Sequence, residues 1–240
     1  MTTLRRRLSR FRRRCLESIG VDYYSRPAIE QMDLKLLPYL PYPKGFYIEV
    51  GANNGYQYSN TYYLAKLRQW RGILIEPIPE IYDECVRERP ESIVLNCALV
   101  SEDYPHSTVT MKYANMMSLG SGLSRKNEQE EDEHIAQGMI WETKHTSTYQ
   151  IDVPCRTLTS ILDEYKIQEI DLFSLDVEGA ELTVLKGLDF SQYRPKFILI
   201  ETEQKAEIDE YLTPYYQEVE QFTFHDYLYR SRQTPLIIPS

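Results

Sequence analysis

Three carboxylates in this chain each follow an apolar run: Glu49 in FYIEV, Glu76 in GILIE and Asp176 in IDLFSLD. After the first comes a turn of small residues, so residues 49–55 read E-x-G-x-x-x-G, with Gly51, Asn53 and Gly55 inside it. Glycine lets backbone approach a ligand closely, and asparagine tolerates the left-handed conformation nearly as well. A pyrophosphate binder wants G-x-G-x-x-G and no acid before it. Glu49 would repel that anion and attract a cation. Glu76 stands 21 residues beyond Gly55, at the end of the second run. That is where a carboxylate accepts hydrogen bonds from a ribose diol. An acid-rimmed nucleoside site fits S-adenosylmethionine, with its sulfonium, ammonium, ribose and adenine, better than a dinucleotide.

Such residues need a sheet whose strands end together. FYIEV and GILIE read as strands, with SNTYYLAKLRQW between them as a helix carrying Tyr62, Tyr63 and Leu67. PEIYDECVRERP is a helix stopped by Pro90, and SIVLNCALV a third strand with its turn. This alternation predicts right-handed crossovers and a parallel sheet. It breaks at about Met111, and residues 111–150 read as an inserted, weakly periodic segment whose acidic run at 128–133 is a solvated face. Order returns with a helix capped by Thr157 and bearing Leu158, Ile161, Leu162 and Tyr165. A strand over 170–175 follows, then an acidic turn and a helix from about Ala180 with Leu182, Leu185 and Leu188 as its buried stripe. KFILIETE is another strand ending in acids, Glu201 and Glu203, and YQEVEQFTFHDYLYRS is a terminal antiparallel hairpin.

At 42% hydrophobic and 26% charged, the composition is that of a globular protein, and 240 residues suit one large domain. No apolar run approaches the ~18 residues of a membrane span. The N-terminus lacks the apolar stretch of a secretory signal. Cys15, Cys85, Cys97 and Cys155 show no metal-type spacing and read as reduced thiols of a cytoplasmic protein. Seven arginines crowd residues 5–14; the other residues carry 20 basic side chains against 36 acidic ones, a balance of −16. So acidic a body argues against a broad nucleic-acid surface. Residues 1–44 read as a basic arm with a short helical segment broken by Pro38, Pro41 and Pro43, and residues 45–240 as the main domain. The arm is expected to be either solvated or engaged with an anionic surface, in which case the protein would be membrane-peripheral. Leu4, Leu8 and Phe11 fall on one helical face.

The stretches GFYIEVGANNG, SNTYYLAK, WRGILIEPIPEIYDEC and IDLFSLDVEGAELTVLKG resemble the FkbM-type family of S-adenosylmethionine-dependent methyltransferases. The likeness covers about residues 45–98 and 151–201, and D-V-E-G-A-E is its more specific motif. It implies a Rossmann-like class I methyltransferase fold: an α/β architecture with seven mostly parallel strands, helices on both faces and an antiparallel last strand. It implies methyl transfer, commonly to a hydroxyl of a sugar, glycan or other small metabolite. By the same resemblance Glu49, Gly51, Ala52, Asn53 and Gly55 belong to the cofactor loop, Glu76 and Pro77 to the ribose side, and Asn96, Cys97 and Ala98 to the adenine side. Asp176 and Glu178 are the acidic pair after the fourth strand, with Asp176 also bordering the cofactor.

A hydroxyl acceptor needs its proton removed by a nearby base. Asp176 and Glu178 are candidates, as is His145 in the insertion, with His134 beside it; Trp141 is a candidate wall for the acceptor. Alternatively Asp176, Glu178 and Glu201 could hold Mg²⁺ through oxygen ligands. A non-catalytic nucleoside binder remains an alternative, as does a nucleic-acid methyltransferase, although DVEGAE stands where base N-methylation usually needs an Asn/Asp-Pro-Pro-aromatic motif. The sequence sets neither the acceptor nor the oligomeric state; a homodimer is one assembly it allows.

Overall fold

The structure, a computed structural model, describes residues 3–113, 119–120, 123 and 149–235. Helix α1 (Thr3–Ser18) comes first, then a 3-10 turn (Ile29–Gln31) and α2 (Met32–Lys35). Next come β1 (Phe46–Val50), α3 (Tyr62–Arg68), β2 (Arg71–Ile75), α4 (Pro79–Glu88) and β3 (Ile93–Leu95). A side excursion holds β4 (Ala98–Leu99), β5 (Thr108–Tyr113), β6 (Leu119–Gly120) and β7 (Tyr149–Arg156). The chain then returns through α5 (Leu158–Tyr165), β8 (Leu172–Leu175), α6 (Glu181–Leu185), β9 (Phe197–Glu201), α7 (Lys205–Leu212), β10 (Tyr216–Gln221) and β11 (Asp226–Ser231).

The main sheet runs β10-β11-β9-β8-β1-β2-β3. Its pairs are parallel from β3 across to β9, and β11, the last strand, is antiparallel to both β9 and β10. This is the expected seven-stranded class I architecture. Alternation along each strand divides the apolar side chains between two faces. Ile48, Ile73, Phe173 and Ile198 enter one core, with Ile161 of α5, Val184 and Leu185 of α6 and Ile208 of α7. Tyr47, Leu74, Leu172 and Leu199 enter the other, with Met32 of α2, Leu64 of α3 and Cys85 of α4. Each aliphatic side chain so buried contributes about 1.5–3 kcal/mol.

Local signals explain the element ends. The Thr157 side chain accepts from Ser160 N at 3.2 Å, capping α5. Helix α4 starts on a proline and stops at Glu88, because Arg89, lying before Pro90, is pushed out of the helical region to φ −120°, ψ 55°. On α6 the buried side chains are Glu181, Val184 and Leu185, while Leu182 is only half-buried.

Residues 93–100 form two short strands rather than one. After β3 the chain leaves the main sheet, and β4 pairs with β7 in a second sheet ordered β4-β7-β5-β6. The expected insertion is thus flanked by strands: β5 and β7 pair from Thr108↔Pro154 to Tyr113↔Tyr149. Ile78, Val109, Met111 and Val153 fill the core beneath. His134, Trp141, His145 and the acidic run at 128–133 lie outside the described residues.

The N-terminal segment is not a separate arm. Leu36 and Leu40 are fully buried in the same core as Tyr47 and Trp70. Helix α1 docks through its arginines. Arg13 is 5% exposed, pairs with Glu88 and with Glu17 (3.7 Å), donates to Tyr62 Oη (2.9 Å) and lies 3.5 Å above the Tyr56 ring. Arg10 also pairs with Glu88. The solvated reading of the arm fails over these residues because Glu88 and the tyrosines, distant in sequence, supply a charged and aromatic socket. Breaking it should be costly. Arg13→Ala is expected to lower stability by about 2–3 kcal/mol, or roughly 5–10 °C in a thermal melt. An unchanged melting temperature would return the arm to solvent.

Candidate active site

The carboxyl ends of β1, β2, β8 and β9 open on one cleft of about 1230 Å³, counted out to its solvent mouth. Parallel strands place their ends together there, and the first βα turn forms its floor. Gly51 (φ +81°) is required by packing: a Cβ on it would come within 1.8 Å of the Asp176 carbonyl oxygen. Asn53 adopts the left-handed conformation at φ 48°. Its backbone N–H donates to Glu76 Oε2 at 3.0 Å, and Ile78 N donates to Oε1 at 2.9 Å. Burial pushes the Glu76 carboxyl up to about 7, and these two donors only partly oppose it.

Glu49 borders the cleft, yet its carboxylate is already committed. Ser59 Oγ (2.8 Å), Thr61 Oγ1 (2.7 Å) and Asn60 N (2.9 Å) all donate to it, and the Arg89 guanidinium lies 3.9 Å away. Arg89, which the sequence reading passed over, is completely buried. It donates to Gly55 O (3.1 Å), Tyr47 Oη (2.7 Å), Thr61 Oγ1 (3.1 Å) and Ser59 Oγ (3.3 Å), bracing the whole loop from behind. The expected attraction of a cation by Glu49 is therefore largely offset by Arg89.

Of the residues expected at the cofactor, Glu49, Gly51, Ala52, Asn53, Glu76, Pro77, Cys97, Ala98 and Asp176 line the cleft. Gly55 and Asn96 are not among the residues that line it. Gly55 (φ +76°) makes room for Arg89 Cγ and Cys85 Sγ, which a Cβ would meet at 2.8 and 2.9 Å. The Asn96 side chain donates to Glu76 O (2.9 Å) and Pro77 O (2.8 Å), holding the loop after β2 from outside the cleft. Burial raises the Cys97 thiol to about 11, so it stays neutral and serves as apolar wall. Ile29 and Tyr58 add a rim that the sequence did not signal. A bridge between Ala28 and Tyr58 ties it to the N-terminal segment. Ser174 also lines the cleft and receives Asn60 Nδ2 at 3.2 Å. A lone serine in an apolar strand was the available clue.

Carboxylates gather at the β8 and β9 ends. Asp176, Glu178 and Glu201 all line the cleft. Glu178 holds φ 56° before Gly179 at φ 102°, a conformation costing a non-glycine residue about 1–3 kcal/mol and typical of functional turns. Glu181 instead points into structure, accepting from Gly179 N (2.7 Å) and Thr202 Oγ1 (3.2 Å). Burial, then the charges of Glu201 and Glu178, push Asp176 well above the usual carboxylate range. Burial, then Asp226 and Glu178, bring Glu201 to about 7. The suggested metal set Asp176, Glu178 and Glu201 is not the grouping found. Glu201 clusters instead with His225 and Asp226, their ligand atoms within 4.8 Å of one another. His225 Nε2 lies 3.3 Å from Glu201 Oε1 and 3.5 Å from Asp226 Oδ2. The pairing Asp226↔Glu201 brings this histidine in from 24 residues away in sequence.

A sequence model of the FkbM methyltransferase domain matches residues 49–231, from the end of β1 to the end of β11. The chain belongs to this methyltransferase family. Methyltransferase sdnD of Sordaria araneosa is 28% identical over 203 residues, 72% of this chain and 75% of that protein. Among solved structures, an FkbM methyltransferase of Methylobacillus flagellatus is 14% identical with a TM-score of 0.46. That alignment covers 91% of this chain but only 59% of the other. M. capricolum TrmK, solved with S-adenosyl-homocysteine, is 9% identical with a TM-score of 0.42, over 84% of this chain and 68% of that one.

Two outcomes follow from the raised carboxyls. If Glu76 receives a ribose diol, for which its ionised form is the better acceptor, S-adenosylhomocysteine affinity should fall up to ~10-fold per pH unit below about 7. Glu76→Gln should bind weakly at every pH and lose that slope; titration calorimetry from about pH 5.5 to 8 reads both. For stability the sign is reversed from the usual carboxylate. Glu201 ordinarily titrates at 4.5, so its contribution is complete below that value and lost as pH rises through about 7. Glu201→Gln should therefore melt higher than the parent at about pH 8, with the gap closing toward pH 5. A constant gap would mean that Glu201 is not raised.

Proposed function

We propose that this chain transfers the methyl group of S-adenosylmethionine to a hydroxyl of a small acceptor, a sugar, glycan or other metabolite. In this reading the donor's ribose meets Glu76, its adenine lies between Pro77 and the Cys97–Ala98 wall, and its sulfonium faces Asp176. The carrying observation is the placement of Asp176, Glu178 and Glu201 on one side of the cleft, with His225 directly behind Glu201. A carboxylate that titrates near neutrality is a competent general base at physiological pH. Glu201 thereby joins Asp176 and Glu178 as a candidate, while His145 keeps its place only as a residue to be tested. As the acceptor oxygen forms its bond to the methyl carbon, the carbon–sulfur bond breaks, sulfur keeps the electron pair, and the acceptor proton passes to the carboxylate. Orientation of the two reactants supplies up to ~7–11 kcal/mol of the acceleration. The four cysteines are free thiols, which suits the cytoplasm as the working compartment.

The test is a panel of hydroxylated sugars, glycans and small metabolites with methyl-labelled S-adenosylmethionine, read as label transfer and S-adenosylhomocysteine release. Asp176→Asn and Glu201→Gln should each cut kcat ~10²–10⁴-fold while S-adenosylhomocysteine affinity is largely kept. A direct carboxylate base predicts no effect of EDTA; loss of turnover restored by Mg²⁺ would place a cation among these acids instead. Tight cofactor binding without turnover of any acceptor would favour a non-catalytic binder. Full activity in both variants would move the base to the segment containing His145.

A further inference from the structure

Helix α1 is amphipathic with its polarity inverted. Its inner side is built from Arg10, Arg13 and Glu17, which bind the protein body through Glu88, Tyr56 and Tyr62. Its outer side carries Leu8 and Phe11, 60% and 69% exposed, then exposed Cys15, and Ile19 just past the helix end at 73%. Steps of three and four residues align these in one stripe facing solvent. Arg7 and Arg14 flank the stripe on one side and Arg12 on the other, all three exposed. Arg14 donates to the Arg87 carbonyl and Arg12 lies over the Tyr24 ring, contacts that leave both charges unneutralised.

An apolar stripe bordered by arginines and held flat against a folded body has the form of an in-plane membrane helix. We infer that the outer face of α1 docks on an anionic lipid surface. Leu8 and Phe11 enter the headgroup–acyl boundary, and the flanking arginines meet lipid phosphates and carboxylates. A second copy of the chain fits less well, since packing two stripes together would set arginine against arginine along both flanks. The distribution of charge also gives the contact a direction. The chain without its N-terminal arginines carries −16, so an anionic bilayer on balance repels the rest of the chain.

The experiment is vesicle co-sedimentation of the full chain, with phosphatidylcholine vesicles lacking or containing about 30% phosphatidylserine, at about 50 mM and about 500 mM salt. Binding should be at least ~10-fold stronger with phosphatidylserine and fall steeply at high salt. The double variant Leu8→Ser with Phe11→Ser should lose binding ~10-fold or more. It should keep its melting temperature, because both side chains are mostly exposed and neither belongs to a core cluster. Arg7→Glu with Arg12→Glu should abolish the dependence on phosphatidylserine. The inference is overturned if the chain ignores anionic vesicles, or if the double serine variant sediments as the parent does. It is equally overturned if the stripe proves to support a concentration-dependent dimer, dissociated by the serine variant, that leaves vesicles unbound. No methyl acceptor is needed, so the result stands apart from the proposed reaction.

Discussion

The site depends on one buried ion pair with its hydrogen bonds. Arg89, at the end of α4, reaches under the first loop and holds Gly55, Ser59 and Thr61, while the last two also hold Glu49. A guanidinium wholly removed from water is costly, and the four acceptors on its two terminal nitrogens offset much of that cost, leaving Nε without a partner among the described residues. The loop is thereby fixed in one shape before any ligand arrives. Gly51 can then sit against the Asp176 carbonyl, and Asn53 can present its amide to Glu76. Pre-formed geometry of this kind reduces the ordering that a bound cofactor must otherwise impose.

The opposite side of the cleft follows a different rule. Around the donor loop the buried charge is paired; at the β8 and β9 ends it is crowded with its own sign. Asp176, Glu201 and Glu181 are each raised by burial, and each also by the charge of Glu178. At neutral pH this crowding of like charge counts against the stability of the fold. Charge is thus balanced beneath the first loop and left net acidic at the β8 and β9 ends, and carboxyls perturbed in this way within a cleft are a mark of functional sites.

Much of this was legible in the sequence because the signals were local. Apolar runs ending in Glu49, Glu76 and Asp176 gave the strands and the edge at which they meet, and Asn53 announced a left-handed turn. What stayed hidden depended on pairing across distance. His225 reaches Glu201 only because β11 lies antiparallel to β9. Arg89 looked like a helix end, since nothing in VRERP tells that its side chain turns inward toward residues 28–34 positions earlier. Asn96 came to the adenine side through the family resemblance, which does not say that its side chain turns back to hold the loop after β2. The second sheet was missed because β4 is two residues long and pairs with a strand more than fifty residues on. The docking of Arg10 and Arg13 stayed hidden for the same reason: Glu88 is 75 residues from Arg13.

That last separation has a consequence in time. A ribosome adds roughly 5–20 residues each second, so several seconds pass between the making of Arg13 and the making of the glutamate that receives it. During that interval α1 is a nascent basic peptide with both its faces open, and its socket does not exist. Whatever binds it then, whether ribosomal RNA, a chaperone or a lipid surface, competes with native docking before there is a native state to dock into. The order in which the chain is made thus leaves α1 open to other partners before its own socket can receive it.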